Sequence, residues 1–234
     1  MKKHFKHIML LTSALLAVTS CSNESITGTG KPKQEVRNFS EFKGINVSGN
    51  YEILGSPGKP EKFIISTNEN ILPYILTSVK KGVLTVESKK SVSLHPTVTQ
   101  NIWFTVPEFN SLELSGSSIF QFLDLNGNEL KITLSGSHHL LLTGKATSID
   151  LTISGSSDVD ARKLNVDDAK VVINGSSTVY LNPANNLKVT INGEGKVVYF
   201  SEAPKVEQVI NGAGQVISNF GKIDKEVDRT KEKF

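Results

Sequence analysis

The stretch LTISGSSDV (residues 151–159) returns as VVINGSSTV at residues 171–179. A glycine preceded by Ser or Asn occurs seven times in this apolar frame, and the last six are 20, 19, 20, 18 and 19 residues apart. A fixed period in this range is typical of stacked repeats. The sequence therefore predicts a solenoid with a repeated bend. The bend residues are Ser48, Gly49, Ser115, Gly116, Ser135, Gly136, Ser154, Gly155, Asn174, Gly175, Asn192, Gly193, Asn211 and Gly212.

Apolar residues flank each of these glycines at constant distances. The positions two residues before and four residues after the glycine are apolar in all seven copies. Spacing by two among Val, Ile and Leu indicates strands with one buried face, and Ser-Gly or Asn-Gly pairs are typical of bends. A repeat of about 19 residues is too short for a βαβ unit, which needs about 30. The prediction is an all-β fold, a parallel β-helix with 19-residue coils and a hydrogen-bonded ladder at the bend. An antiparallel sandwich is the alternative.

The region 58–107 departs from this period. Three segments in it are predicted strands, namely Phe63–Ile65, Val83–Val86 and Ile102–Val106. The segment Ile71–Lys81 is expected to hold a short helix or an irregular loop. Because the end strands of a parallel stack need cover, we expect this irregular section to cap the N-terminal end.

The first 20 residues have the features of a lipoprotein signal peptide. Lys2, Lys3 and Lys6 precede an apolar segment at residues 8–18, which is too short to span a membrane. The segment ends before Cys21, the single cysteine of the chain, in a tetrapeptide that resembles the bacterial lipobox. We expect Cys21 to carry a lipid that binds the protein to a membrane, with an ordinary secretory signal as the alternative. Ser22 after it favours the outer membrane.

Composition divides the rest of the chain. Residues 21–38 are predicted to be the lipidated cysteine and a flexible tether, residues 39–221 the β-helix domain, and residues 222–234 a charged tail. Removing the signal peptide lowers Lys+Arg from 26 to 23, equal to the 23 Asp+Glu, so the mature chain is neutral. No basic cluster with interleaved aromatics points to nucleic acid, and no motif points to a cofactor.

One acidic cluster is the best candidate for a surface site. Asp158 and Asp160 should lie on the same outer face of a strand, because side chains alternate. Arg162 and the outward Tyr180 are expected near them. A carboxylate pair could act as acid and base or hold Ca²⁺, but neighbouring repeats supply no matching acids, so a solvated face is the simpler interpretation. His138 and His139 should point to opposite sides, which disfavours a metal site, and a surface histidine is expected.

The ordered motifs resemble a known family. The segment 39–53 (FSEFKGINVSGNYEI), the segment 82–86 (GVLTV) and the Ser-Gly-Ser-Ser bends are similar to putative auto-transporter adhesin, head GIN domain, which is abundant in Bacteroidota and other Gram-negative bacteria. The resemblance implies a right-handed parallel β-helix, often on secreted or lipid-anchored chains, and it supplies no catalytic residues. Gly195 and Gly214 replace Ser in the last two repeats, so those bends are expected to differ.

The sequence as a whole predicts a lipid-anchored cell-envelope protein that binds a glycan or a protein through the side of the rod, without catalysis and without a bound metal. A polysaccharide-active enzyme using Asp158, Asp160 and Arg162 is one alternative. A structural envelope protein that stacks end to end is another. The oligomeric state does not follow from the sequence.

Overall fold

Strands dominate the described part of the chain. The protein structure is a computed structural model that describes residues 24–59, 61–202 and 204–221. These residues form an all-β fold with one 3-10 helix, Leu72–Tyr74. The strands are β1 (Glu24–Thr27), β2 (Pro32–Val36), β3 (Gly44–Gly49), β4 (Glu52–Pro57), β5 (Lys62–Asn68), β6 (Ile75–Lys80), β7 (Val83–Ser88), β8 (Val92–His95), β9 (Asn101–Val106), β10 (Ser111–Gly155), β11 (Asp158–Gly175), β12 (Thr178–Gly193), β13 (Lys196–Tyr199), β14 (Lys205–Gly212) and β15 (Gln215–Ser218).

The repeats pair in parallel with one another. β10 pairs with β11, β11 with β12, and β12 with both β13 and β14. The register places the bend glycines side by side, so that Gly155 pairs with Gly175 and Gly193 with Gly212. β3 and β4 join β10 in the same way, before and after their own bend. The unit that repeats in the sequence is therefore the unit that pairs in space.

The apolar columns lie inside. Ile153, Ile173 and Ile191, two residues before their glycines, are fully buried. Val159 and Val197, which lie four residues after a bend glycine, are also fully buried. Along the strands, the residues between these buried positions point outward. This alternation is what a strand with one buried face requires.

Phenylalanines fill the N-terminal part of the core. The ring of Phe104 lies 5.9 Å from that of Phe122, and Phe109 stacks on Phe122 with ring centroids 4.6 Å apart. Gly55 makes room for them, because a Cβ there would lie 2.5 Å from Phe104 and 2.6 Å from Phe122.

The tether prediction is wrong for residues 24–37. β1 pairs with β8, and β2 pairs antiparallel with β5. Side-chain hydrogen bonds also fix the chain on either side of β2. Asn68 donates to the carbonyl of Gly30 at 3.2 Å, and the guanidinium of Arg37 donates to the carbonyl of Ile75 at 2.7 Å. These partners are about 38 residues away in sequence, which is why local composition did not reveal them. Cys21, the signal peptide and the tail 222–234 lie outside the described residues.

The irregular section contains the three predicted strands, which lie within β5, β7 and β9. The segment Ile71–Lys81 combines both expectations in part: a 3-10 helix at Leu72–Tyr74 is followed by β6, which is a strand rather than a loop. β6 pairs antiparallel with β7, and β7 pairs with β3. Antiparallel strands thus flank the first repeat.

Two ladders of side chains follow the bend. On the outside, the Ser115 hydroxyl donates to Ser48 Oγ at 2.8 Å, and the Asn192 amide donates to Asn174 Oδ1 at 2.7 Å. On the inside, two residues after four consecutive bend glycines, lies a buried polar column that the sequence analysis did not separate from the bend. Its members are Ser118, His138, Ser157 and Ser177.

The inner column joins side chains to backbone between repeats. The backbone N–H of His138 donates to Ser157 Oγ at 3.1 Å, and that of Ser157 donates to Ser177 Oγ at 2.9 Å. A Cβ on Gly195, which follows Ser177 in this column, would meet Ile173 and Ile191 side-chain carbons. Isoleucine side chains therefore occupy the space beside Gly195, where the column no longer has a serine. The bend glycines keep their register there.

His138 is buried, so the expectation of a surface histidine is wrong for it. Its Nδ1 accepts from the backbone N–H of Ser118 at 3.2 Å, and its Nε2 lies 3.2 Å from the Ser135 carbonyl. This arrangement fits the neutral ring, with the proton on Nε2. Burial lowers the pKa of His138 from its usual value. His139 points outward, as predicted from the alternation.

We expect Gly155→Ala to lower the free energy of unfolding by about 3 kcal/mol or more. Gly155 has φ +131°, and a Cβ there would overlap the carbonyl oxygen of Gly136 in the preceding repeat. The control is Gly82→Ala, because Gly82 has φ +74° with open space around its Cβ position. That variant should lose only the backbone term, about 1 to 2 kcal/mol. Equal losses in urea unfolding would contradict the stacking contact.

We also expect His138 to make stability depend on pH. In the unfolded chain this histidine has a pKa near 6.5, and in the folded protein its pKa is lower. The stabilisation that the neutral ring contributes is therefore complete above about pH 6.5 and is lost as the pH falls through the folded-state pKa. Urea midpoints between about pH 8 and about pH 5 should decline for the wild type and much less for His138→Ser. His139→Ser should keep the decline. A wild-type midpoint that does not change over this range would contradict the buried neutral ring.

Candidate functional site

The predicted acidic pair divides between two partners. Asp158 and Asp160 flank the buried Val159 and face outward from β11. Asp158 is exposed and lies 3.4 Å from Nδ1 of His139, its partner in the preceding repeat. Asp160 is half-buried and turns to Arg162. The structure therefore does not bring the two carboxylates to a common partner.

Asp160 and Arg162 form a closely bonded pair. Oδ1 of Asp160 accepts from the backbone N–H of Arg162 at 3.1 Å and from its Nε at 2.9 Å, and Oδ2 accepts from the guanidinium at 2.7 Å. Burial alone would raise the pKa of Asp160, but the hydrogen bonds and charge of Arg162 outweigh it and hold the pKa below its ordinary value. A carboxylate that stays ionised in this way is poorly suited to act as a general acid.

Arg162 also contacts two aromatic rings. Its guanidinium carbon lies 5.2 Å from the centre of the Tyr180 ring and 5.9 Å from that of Phe200. The two rings are 6.4 Å apart. These distances are typical of cation–π contacts. Asp160, Arg162 and Tyr180 thus come together, and Phe200 lies with them although the sequence analysis did not single it out.

A groove of about 900 Å³ begins at this cluster, and Phe200 belongs to both. We call it the corner groove, and its lining residues come from successive repeats. Its wall contains Lys145, Asn165 and Asn182, which are register partners in three successive repeats. The residues that line it are Asn126, Gly127, Asn128, Lys145, Ala146, Thr147, Asn165, Val166, Asp167, Asn182, Ala184, Phe200, Ser201, Glu202 and Phe220.

The chemistry of the corner groove is polar with aromatic ends. The Asn182 amide donates to Asn165 Oδ1 at 3.1 Å. Phe220 is half exposed. The hydroxyl oxygen of Ser201 is buried in the wall and has no hydrogen-bond partner among the described residues. Two paired amides and two phenylalanines are groups that can bind a polar ligand.

An apolar row crosses the outer face near the N-terminal end. Val36 pairs with Ile64, Ile64 with Trp103, and Trp103 with Leu54. The side chains of Val36 and Leu54 are exposed, and Trp103 faces outward because Ile102 and Phe104 are buried. The facing of Trp103 was left open by the sequence. Single outward apolar residues are common on proteins, but four in register form a continuous row.

The described residues contain no cluster of three or more potential metal ligands. No helix among them has the length and apolar character needed to cross a membrane.

Several solved structures share this fold. A putative adhesin from Bacteroides fragilis is 16% identical, with a TM-score of 0.63 over 82% of this chain and 99% of that one. A putative adhesin from Parabacteroides distasonis is 19% identical, with a TM-score of 0.57 over 83% and 100% of the two chains. A putative lipid binding protein from the same species is 17% identical, with a TM-score of 0.51 over 83% and 99%. At these identities the likeness concerns the fold alone.

The comparison with curated proteins finds no significant match. The family model for putative auto-transporter adhesin, head GIN domain, matches residues 41–203, which is more than half of the chain. This confirms the resemblance drawn from the bend motifs, and the chain belongs to that family.

Proposed function

We propose that this protein is a lipid-anchored adhesin of the cell envelope that binds its ligand through the outer side of a right-handed parallel β-helix, without catalysis. The observation that carries the proposal is the corner groove beside the Arg162, Tyr180 and Phe200 cluster. Membership in an adhesin family supports a binding role. The ligand is a glycan or a protein met at the cell surface.

Parallel pairing supports the β-helix. Strands before the bend and strands after it both pair with the equivalent strands of the next repeat, as β10 does with β3 and with β4. Two walls that advance by one strand spacing per repeat form a rod, at about 4.8 Å per repeat. Right-handedness is the expectation that comes with the family.

The anchor would hold the domain close to the membrane. Cys21 lies outside the described residues, but β1 already begins at Glu24. Three chain steps of about 3.8 Å separate Cys21 from Glu24, so the reach is at most about 11 Å. The long tether expected from composition would have allowed several times that distance. Ser22 at the position after the cysteine favours an outer-membrane location.

A non-catalytic role agrees with the state of the acidic pair. Asp160 is held ionised by Arg162, and Asp158 contacts His139 instead of Asp160. The alternative of a polysaccharide-active enzyme would need one of these carboxylates to exchange protons with substrate. The ionised Asp160 carboxylate does not favour the general-acid part of that role.

The binding proposal is tested with the mature chain on arrays of glycans and extracellular matrix proteins. We expect selective binding to a small set of ligands, reduced at least about tenfold by Arg162→Ala, which removes the cation between the rings. Lys170→Ala, which removes an exposed cation paired with Asp150, is the matched control and should bind normally. Uniform absence of binding by a folded chain would contradict the adhesin role.

The anchor is tested separately by Cys21→Ser. We expect the protein to move from the membrane fraction to the soluble fraction and to lose incorporation of labelled palmitate, since stable anchoring requires the acyl chains. Ser22→Ala should keep the label and the membrane fraction. Unchanged fractionation of Cys21→Ser would rule out this anchor.

A further inference from the structure

We propose that the corner groove binds a neutral oligosaccharide whose chain lies along the stack of repeats. The proposal rests on the binding role above and names the ligand class and the site. Its basis is the combination of two register-paired asparagines, two phenylalanine rings and a mostly uncharged lining in one groove of about 900 Å³.

The polar column formed by Lys145, Asn165 and Asn182 matches a polymer of sugar units. These residues occupy one register position in three successive repeats, and neighbouring strands in a sheet are about 4.8 Å apart. This step is comparable to the length of one pyranose unit. Each asparagine offers both a donor and an acceptor, which is the pattern that adjacent sugar hydroxyls complement.

The phenylalanines fit the apolar faces of sugar rings. Phe220 is half exposed at the C-terminal end of the groove, so its ring is open to stacking. The Phe200 ring contacts the guanidinium carbon of Arg162, which lies 5.9 Å from its centre, and the Tyr180 ring, whose centre is 6.4 Å away. Fixed aromatic rings lose little entropy when a ligand packs on them.

The charges of the lining argue against other ligand classes. One cation, Lys145, stands against two carboxylates, Asp167 and Glu202, so a polyanion such as an acidic polysaccharide or a nucleic acid would be repelled. Acyl chains would bury the amides and carboxylates without hydrogen bonds, which is unfavourable. A neutral ligand rich in hydroxyls avoids both costs.

The test titrates the mature chain carrying Cys21→Ser with cellohexaose, mannohexaose, xylohexaose, maltohexaose and hexagalacturonate by calorimetry. We expect at least one neutral hexasaccharide to bind more tightly than hexagalacturonate. The double variant Asn165→Ala, Asn182→Ala should weaken that binding about tenfold or more through lost hydrogen bonds. Phe220→Ala should weaken it by a similar factor.

The chain supplies a matched control in its second amide ladder. Asn174 and Asn192 share a hydrogen bond of the same type at 2.7 Å, but they lie at the bend outside the groove. The double variant Asn174→Ala, Asn192→Ala should therefore bind like the parent. Equal weakening by the two double variants, or no binding of any neutral hexasaccharide, would overturn the groove assignment. Array binding to a matrix protein in that case would leave the adhesin role standing.

Discussion

The close approach of backbone at the bend glycines is the constraint on which the rest of the structure depends. In successive repeats the carbonyl oxygen of one glycine occupies the place that a Cβ of the next would take, as Gly175 does at Gly193 at 2.5 Å. Each of these glycines has a positive φ, which other residues adopt only with strain. Repeats can therefore stack in register only where glycine recurs at that phase. The regular spacing of these glycines in the sequence is a consequence of this contact.

The stacked bend in turn decides which positions are open to variation. Inside the bend, Ser157 and Ser177 satisfy backbone N–H groups of the preceding repeat, and the apolar columns fill the core. Both requirements restrict the residue types that these inner positions can hold. Outward positions carry no such requirement, so one column holds Leu141, Asp160 and Tyr180 side by side. The scaffold is uniform, and a distinct cluster can arise on its surface without disturbing it.

Period and phase made the repeats, the buried columns and the outward Asp160, Arg162 and Tyr180 predictable. The inner polar column could also have been found, because residues two after the glycine share the inward phase. The sequence could not give the pairing of β1 with β8 or of β2 with β5, because contacts such as Asn68 with Gly30 and Arg37 with Ile75 join residues far apart in the chain. Phe200 follows the end of β13, where alternation no longer assigns a direction, so only the structure places it against Arg162.

The lining of the corner groove also departs from strict repetition. A uniform wall presents the same polar pattern at every repeat and gives a ligand no preferred position along the stack. In the corner groove a lysine, Lys145, stands at the position where the next two repeats have Asn165 and Asn182, and Phe220 lies in the same lining. Neighbouring repeats are about 4.8 Å apart. The residues that depart from the repeat make one end of the groove different from the other. A polymer with a matching step can thus be bound in one register, which a perfect repeat could not enforce.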